Sequence, residues 1–173
     1  MNQCKCASLA AALLLASALT LSCSSDDGGT PSPEVGSGGS VAIGEQTWMG
    51  KNLDVAAEGS KCYDDDPENC EKYGRLYDWA TAMALDPSCN SVSCAGQVQA
   101  KHRGLCPAGW HIPTDADWDA LMTAVGGSST AGTKLKSASG WGSGGVVGTD
   151  EYNFSALPGG YGYSSGNFYD AGS

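Results

Sequence analysis

Eight cysteines in a chain of 173 residues constrain the fold more than any other feature of this sequence. Five of them lie beyond residue 60, at Cys62, Cys70, Cys89, Cys94 and Cys106. In an oxidising compartment, the cysteines of a small domain form disulfides more often than metal sites. The short spacings predict two local bridges, Cys62–Cys70 and Cys89–Cys94. Because five is odd, Cys106 is free, bonded to another molecule, or missing its partner.

The N-terminal segment predicts export from the cytoplasm. Residues 7–21 form an uncharged apolar run behind Lys5. This run is short for a membrane span and has the length of a signal-peptide core. We therefore assign residues 1–22 to a signal peptide, which would carry away Cys4 and Cys6.

The junction after this run resembles the lipobox of bacterial lipoproteins, because the small residue Ser22 precedes Cys23. In that family the cysteine is lipidated and becomes the new N-terminus. The acids Asp26 and Asp27 resemble a signal that sends some lipoproteins to the outer face of the outer membrane. We expect a lipid-anchored, surface-exposed protein. The alternative is an ordinary cleaved signal peptide and a released protein.

Composition separates a tether from a domain and excludes one class of partner. Residues 23–40 are rich in Ser, Gly and Pro and too poor in apolar side chains to fold, so they predict a flexible tether before a domain over residues 41–173. Removal of residues 1–22 takes the formal charge from −10 to −11. A surface this acidic repels nucleic acid, and the membrane contact is expected through the lipid alone.

Two stretches of the domain carry recognisable periodicity before residue 90. "VAIGEQTWMGKNL", residues 41–53, alternates around a Gly-Glu turn and predicts a two-stranded edge. Residues 75–85 predict a helix that ends at Asp86-Pro87, with one buried face formed by Leu76, Trp79, Ala80 and Met83.

"CPAGWHIPTDADWDAL", residues 106–121, begins a second helix. Thr114 and Asp117 have the spacing of a capping box, in which each side chain accepts from the other residue's amide. Gly126-Gly127 predicts the end of this helix, whose apolar face is formed by Trp118, Leu121, Met122 and Val125. Residues 127–173 are rich in Gly and Ser, and no long helix is expected there.

Four blocks in order resemble the Fibrobacter succinogenes major paralogous domain, namely "IGEQTWMGKNL", "CYDDDPENCEKYGRLYDWATAM", "CPAGWHIPTDADWDAL" and "FSALPGGYGYSSGNF". The resemblance covers residues 41–173. It implies an α+β, C-type-lectin-like fold, similar to the sulfatase-modifying-factor group, with two helices, a small irregular antiparallel sheet and long loops. It implies no reaction.

This chain departs from the pattern of that family, whose members normally continue past the position of Ser173 and finish on a strand with a cysteine. The resemblance therefore implies that the C-terminal strands are missing, and that Cys106 pairs with a cysteine absent from this chain. Such a loss would leave a sheet edge uncovered.

Two clusters raise the question of a metal ion. His111 has Asp115 and Cys106 nearby in sequence, but their spacing does not fit a zinc pattern, so we interpret His111 as a packing residue. Asp64 and Asp66 offer oxygen ligands for calcium, but they lack the spacing of an EF-hand loop and favour a solvated turn. We expect no metal and no cofactor.

The predicted function is therefore binding or surface structure and not catalysis. The candidate ligand contacts are exposed rings among Trp141, Tyr161, Tyr163, Phe168 and Tyr169, with the first three favoured, because exposed rings stack on sugars. Polysaccharide is the candidate ligand. The alternative is that these rings have only a packing role, in the core of an irregular sheet. Other classes are a structural coat protein and an enzyme of the sulfatase-modifying type, whose reactive cysteine pair has no counterpart here.

Overall fold

The computed structural model describes residue 1 and residues 5–9, 39–142 and 146–173. It has the α+β architecture expected from the sequence. The strands are β1 (Ala7–Leu9), β2 (Ser40–Ile43), β3 (Gln46–Met49), β4 (Gly159–Gly162) and β5 (Phe168–Ala171). The helices are α1 (Pro67–Tyr73), α2 (Trp79–Ala82), α3 (Asp115–Ala124) and α4 (Ser128–Leu135), and three single 3-10 turns cover Tyr63–Asp65, Pro87–Asn90 and Ala95–Gln97.

Some predictions fall outside this described part of the chain. They are the lipidation of Cys23, nearly all of the tether and most of the signal peptide. Among the described helices, none has the length and apolar character needed to cross a membrane.

The predicted hairpin of residues 41–53 is present, with Gly44 in the left-handed region at φ +60°. A Cβ at Gly44 would also approach the Ala124 side chain to 2.9 Å, so glycine is needed for conformation and for space. The hairpin is not a two-stranded edge, however. Its strand β3 is central in an antiparallel sheet of order β1–β3–β2, because β1 pairs along its other side.

The main core gathers around Trp48, whose side chain is fully buried in β3. Its ring centroid lies 4.8 Å from that of Trp118 and 5.6 Å from that of Phe154. The same buried cluster includes Ala7, Ile43, Leu121, Val125 and Ala131. One side chain therefore joins the sheet, α3 and the loop that precedes β4.

The helix predicted over residues 75–85 is wrong in extent, because only Trp79–Ala82 is helical. Leu76 instead exchanges two main-chain hydrogen bonds with Lys61, at 3.0 and 2.8 Å. Asp78 then begins α2 by accepting from the Thr81 amide at 2.8 Å. Trp79, placed on the buried face by its spacing, is 48% exposed.

The capping box that begins α3 is confirmed. The Thr114 hydroxyl accepts from the Asp117 amide at 3.2 Å, and the Asp117 carboxylate accepts from the Thr114 amide at 2.8 Å. Gly126 and Gly127, at φ +98° and +97°, end the helix as predicted.

The segment after α3 contains a helix that the sequence did not indicate. Residues 128–135 form α4, although "SSTAGTKL" has no side-chain cap and several poor helix formers. The helix is stabilised by tertiary packing, because Ala131 is buried in the main core and Leu135 packs against it.

Three disulfides brace the described residues. The two predicted local bridges, Cys62–Cys70 and Cys89–Cys94, are both present. The third differs from the expectation that Cys106 pairs with a cysteine absent from this chain, because Cys106 is bonded to Cys6. This pairing follows from β1, which places Cys6 in the fold beside Cys106. The structure describes the chain before any processing, so the removal of residues 1–22 stays a prediction.

The first testable prediction concerns Trp48. We expect Trp48→Ala to lower the free energy of unfolding by about 3–5 kcal/mol, because it leaves a large cavity. Trp48→Phe should lower the free energy of unfolding by less than about half of that amount. It keeps an aromatic ring in the core, and it removes an indole N–H that has no acceptor among the described residues. Urea unfolding measures the free energy of unfolding of both variants. Trp79→Ala, at a half-exposed position, is the control. Equal losses for Phe and Ala would contradict the proposed role of ring packing.

The second prediction concerns Asp117 and pH. Burial raises the pKa of its carboxyl, but hydrogen bonds from the Thr114 hydroxyl and amide and from His111 outweigh burial and hold the pKa below its ordinary value. A lowered folded-state pKa stabilises the fold above the unfolded-state pKa of about 3.9, and this contribution is lost as pH falls through the folded-state pKa. We expect Asp117→Asn to cost about 1–2 kcal/mol at pH 7 and progressively less below about pH 4. Asp119→Asn, exposed on the same helix, is the control; a pH-independent difference between Asp117→Asn and the wild type would refute the prediction.

Candidate functional site

Three tyrosine rings cluster on one face of the β4–β5 hairpin. The centroid of Tyr161 lies 5.5 Å from that of Tyr163 and 5.9 Å from that of Tyr169, and the last two are 5.7 Å apart. Tyr163 is 56% exposed and Tyr169 is 44% exposed. We call these three residues the tyrosine cluster.

The pairing of the strands produces this cluster. Tyr161 is directly opposite Tyr169, and Tyr163 lies two residues further along the chain, so all three share a face. Phe168 points to the other face, where its ring lies 5.3 Å from the ring of Tyr63. The hairpin is thus held from beneath by an aromatic contact while the tyrosines remain accessible.

Gly160 allows the hairpin to lie close to its support. Its φ is +65°, and an added Cβ would collide with the Tyr169 carbonyl oxygen and with the Tyr63 ring. A side chain at this position would therefore push the tyrosine cluster away from the domain.

The electrostatics of the cluster favour the protonated form of the Tyr161 hydroxyl. Partial burial, followed by the neighbouring Tyr163 and Asp170, raises the pKa of Tyr161 above its ordinary value. A protonated phenol can donate as well as accept a hydrogen bond. The exposed carboxylate of Asp170 adds an acceptor beside the rings.

Trp141, which the sequence grouped with Tyr161 and Tyr163, has a different environment. Its indole N–H donates to the Ser137 hydroxyl at 3.1 Å and to the Ala156 carbonyl at 3.2 Å. The Lys136 ammonium lies 4.0 Å from the centre of its ring. These contacts indicate a packing role, and Tyr169 completes the ring cluster instead. Tyr169, one of the further rings that the sequence suggested, lies opposite Tyr161 across the turn of residues 164–166.

His111 serves the start of α3. Its ring is buried, and Nε2 lies 3.1 Å from the Asp117 carboxylate. Cys106 forms a disulfide with Cys6, and Asp115 is exposed in the first turn of α3. The three side chains considered for zinc therefore lie in three different environments.

The carboxylates of the acidic turn, residues 64–66, also interact with neighbouring residues in the chain. Asp66 accepts from the Glu68 amide at 3.0 Å and caps α1, while Asp65 pairs with Lys61 at 3.5 Å. In the part of the chain that the structure describes, no three cysteine, histidine or acidic side chains are grouped to hold a metal ion. The calcium hypothesis for Asp64 and Asp66 remains a sequence-based one.

A cavity of about 1030 Å³ lies beside the end of β3. Its walls mix apolar and charged side chains, and they include Met49, Leu53, Tyr73, Arg103, Cys106 and Leu157. Cys106 thus borders an open space although the residue itself is buried.

Comparison with known proteins identifies the family but no individual relative. No curated protein and no solved structure matches the chain. The family model of the Fibrobacter succinogenes major domain matches residues 41–173, which include β2 except its first residue, β3 and every described element that follows them. The chain therefore belongs to the Fibrobacter succinogenes major domain family, as its sequence blocks indicated.

Proposed function

We propose that this protein is a lipid-anchored module of the outer membrane surface that binds polysaccharide through the tyrosine cluster. The observation that carries the proposal is the exposure of Tyr163 and Tyr169 beside Tyr161 on a braced hairpin. Rings that pack only as core would be covered, and these two are not.

The chemistry of a sugar fits such a surface. The apolar faces of pyranose rings stack on aromatic rings, while their hydroxyls exchange hydrogen bonds with phenols and carboxylates. Tyrosine supplies this contact area at a low entropic cost because it has few rotatable bonds. The formal charge of −11 that is left after removal of residues 1–22 favours a neutral polysaccharide over a polyanion.

We propose further that the module is not an enzyme. Four of the five cysteines beyond residue 60 form two disulfides with each other, Cys62–Cys70 and Cys89–Cys94. After removal of residues 1–22, Cys106 alone among these five would lack its partner Cys6, and a single thiol is not the reactive pair that a sulfatase-modifying chemistry would need. The alternative of a structural coat protein predicts no soluble ligand, so a binding experiment separates it from the main proposal.

The third prediction tests binding by the tyrosine cluster. We expect the wild-type protein to bind cellulose or xylan, and the double variant Tyr163→Ala/Tyr169→Ala to bind at least about tenfold more weakly, because two stacking rings are lost. Depletion of the protein from solution by the insoluble polysaccharide measures this.

Two variants serve as controls. Tyr169→Phe keeps the ring and should keep most of the affinity, and Trp79→Ala removes an equally exposed ring elsewhere and should bind as the wild type does. Retained affinity in the double variant, or no binding of the wild type to either polysaccharide, would contradict the proposal.

The fourth prediction tests the anchor. Peptide mapping of the protein from its native membrane should find an N-terminal peptide that begins at Cys23 and carries diacyl or triacyl mass, which Cys23→Ser abolishes. The support is the small residue before Cys23 behind an apolar run. A free, unmodified N-terminus would contradict lipidation.

A further inference from the structure

The three rings of the tyrosine cluster do not lie in one plane. The planes of Tyr161 and Tyr169 are within 28° of each other, whereas the plane of Tyr163 is inclined by 85° to Tyr161 and by 75° to Tyr169. The exposed rings of Tyr163 and Tyr169 therefore form the two walls of a corner, and the less exposed Tyr161 ring lies beside both of them. A cluster with this geometry does not offer a single flat aromatic surface.

The main chain on both sides of this corner is fixed. The Tyr163 amide donates to the Asn167 carbonyl at 3.0 Å, and the Tyr163 carbonyl accepts from the Gly166 amide at 3.1 Å. Tyr169 is paired with Tyr161 in the β4–β5 ladder. Because the two walls are held by turn and strand hydrogen bonds, the corner is formed before a ligand arrives, and the entropic cost of ordering it on binding is low.

The outward direction of the tyrosines is built into β4. Residues 160–163 alternate glycine and tyrosine, so one face of the strand is aromatic and the other has no side chains. On the glycine face, a Cβ added at Gly162 would lie 3.2 Å from the Phe168 ring and 3.6 Å from the Leu76 side chain. The hairpin therefore packs on the domain through its glycine face and leaves the tyrosine face to the outside.

Polar groups lie at both ends of the corner. Beside Tyr163, the turn carries two exposed serines, and the Asn167 side-chain amide donates to the Ser165 hydroxyl at 3.2 Å. At the other end, burial, then Tyr163 and then the charge of Asp170 raise the pKa of Tyr161, so the exposed Asp170 carboxylate is within electrostatic reach of the rings. These groups match the hydroxyls of a neutral sugar, and Asp170 would repel a carboxylated one.

The angle between the walls decides which form of polysaccharide fits. The face of a polysaccharide crystal is flat and rigid, so it can lie on the ring of Tyr163 or on that of Tyr169, but not on both. In a single chain, neighbouring sugar units rotate about the glycosidic bond between them and can turn to meet both rings. The corner therefore makes two stacking contacts with a single chain and one with a crystal face.

We propose that the tyrosine cluster is a corner-shaped site for a single, non-crystalline chain of a neutral polysaccharide. The inference rests on the proposed function, because it names the form of polysaccharide that the same cluster binds. Neighbouring sugar units stack on Tyr163 and Tyr169, and hydroxyls at the two ends of the corner exchange hydrogen bonds with the turn and with Asp170. The flat face of crystalline cellulose is the disfavoured ligand.

The fifth prediction compares ordered and disordered chains. Depletion isotherms of the wild-type protein should give a Kd for acid-swollen cellulose or for xylan at least about tenfold lower than the Kd for microcrystalline cellulose, because only a free chain reaches both walls. The Kd is fitted separately from the binding capacity, so the larger accessible area of swollen cellulose does not produce this difference. Soluble oligosaccharides of the bound polymer should displace the protein, and polygalacturonate, an anionic chain, should not.

Single substitutions locate the corner. Tyr163→Ala removes one wall and leaves Tyr169 as a lone ring, so the affinity for the free chain should fall at least about tenfold and the two Kd values should become nearly equal. Tyr163→Phe keeps the wall and should keep the difference between the two Kd values. Trp79→Ala removes an exposed ring elsewhere and is the second control. Thermal melting checks that each variant is folded.

The possible outcomes separate this inference from the proposed function. A Kd for microcrystalline cellulose equal to or below the others, no displacement by soluble oligosaccharides, or an unchanged Kd difference in Tyr163→Ala overturns the corner and leaves polysaccharide binding in place. Absence of binding to all three polymers overturns both.

Discussion

Trp48 packs its buried indole against the rings of Trp118 and Phe154, which belong to segments far apart in the sequence. This contact sets where α3 lies on the sheet and where the loop before β4 returns to it. Trp48 is the largest fully buried side chain among the described residues, so its ring contacts contribute much of the stability of the main core. The hairpin of β2 and β3 positions Trp48, and the capping box positions Trp118.

Disulfides support the regions that this core does not reach. The Cys62–Cys70 disulfide closes a loop that contains the acidic turn and the start of α1. Tyr63 lies in this loop, and its ring packs against the ring of Phe168 in the β4–β5 hairpin. Exposed tyrosines on an otherwise small two-stranded hairpin need such support, because an isolated hairpin is marginally stable in water. The candidate binding surface therefore depends on a braced loop rather than on the central core.

Local patterns were reliable where the interactions they encode are local. The turn at Gly44 depends on a positive φ, and the capping box depends on two side chains three residues apart, so both were predictable from the sequence. The helix over residues 75–85 failed because Leu76 finds main-chain partners in Lys61, fifteen positions away, and apolar spacing carries no information about such a bridge. Helix α4 was missed for the opposite reason, since its sequence is a poor helix former and distant packing stabilises it.

The sequence by itself determined the hairpin, the start and end of α3, the two short disulfides and the family. Only the tertiary structure decided that Cys106 pairs with Cys6, that Trp141 packs while Tyr169 joins the tyrosine cluster, and that β3 lies in the middle of its sheet. The physical reason is sequence separation. Interactions within a few residues are set by backbone geometry and side-chain reach, whereas a pairing across 100 residues depends on how every intervening element packs.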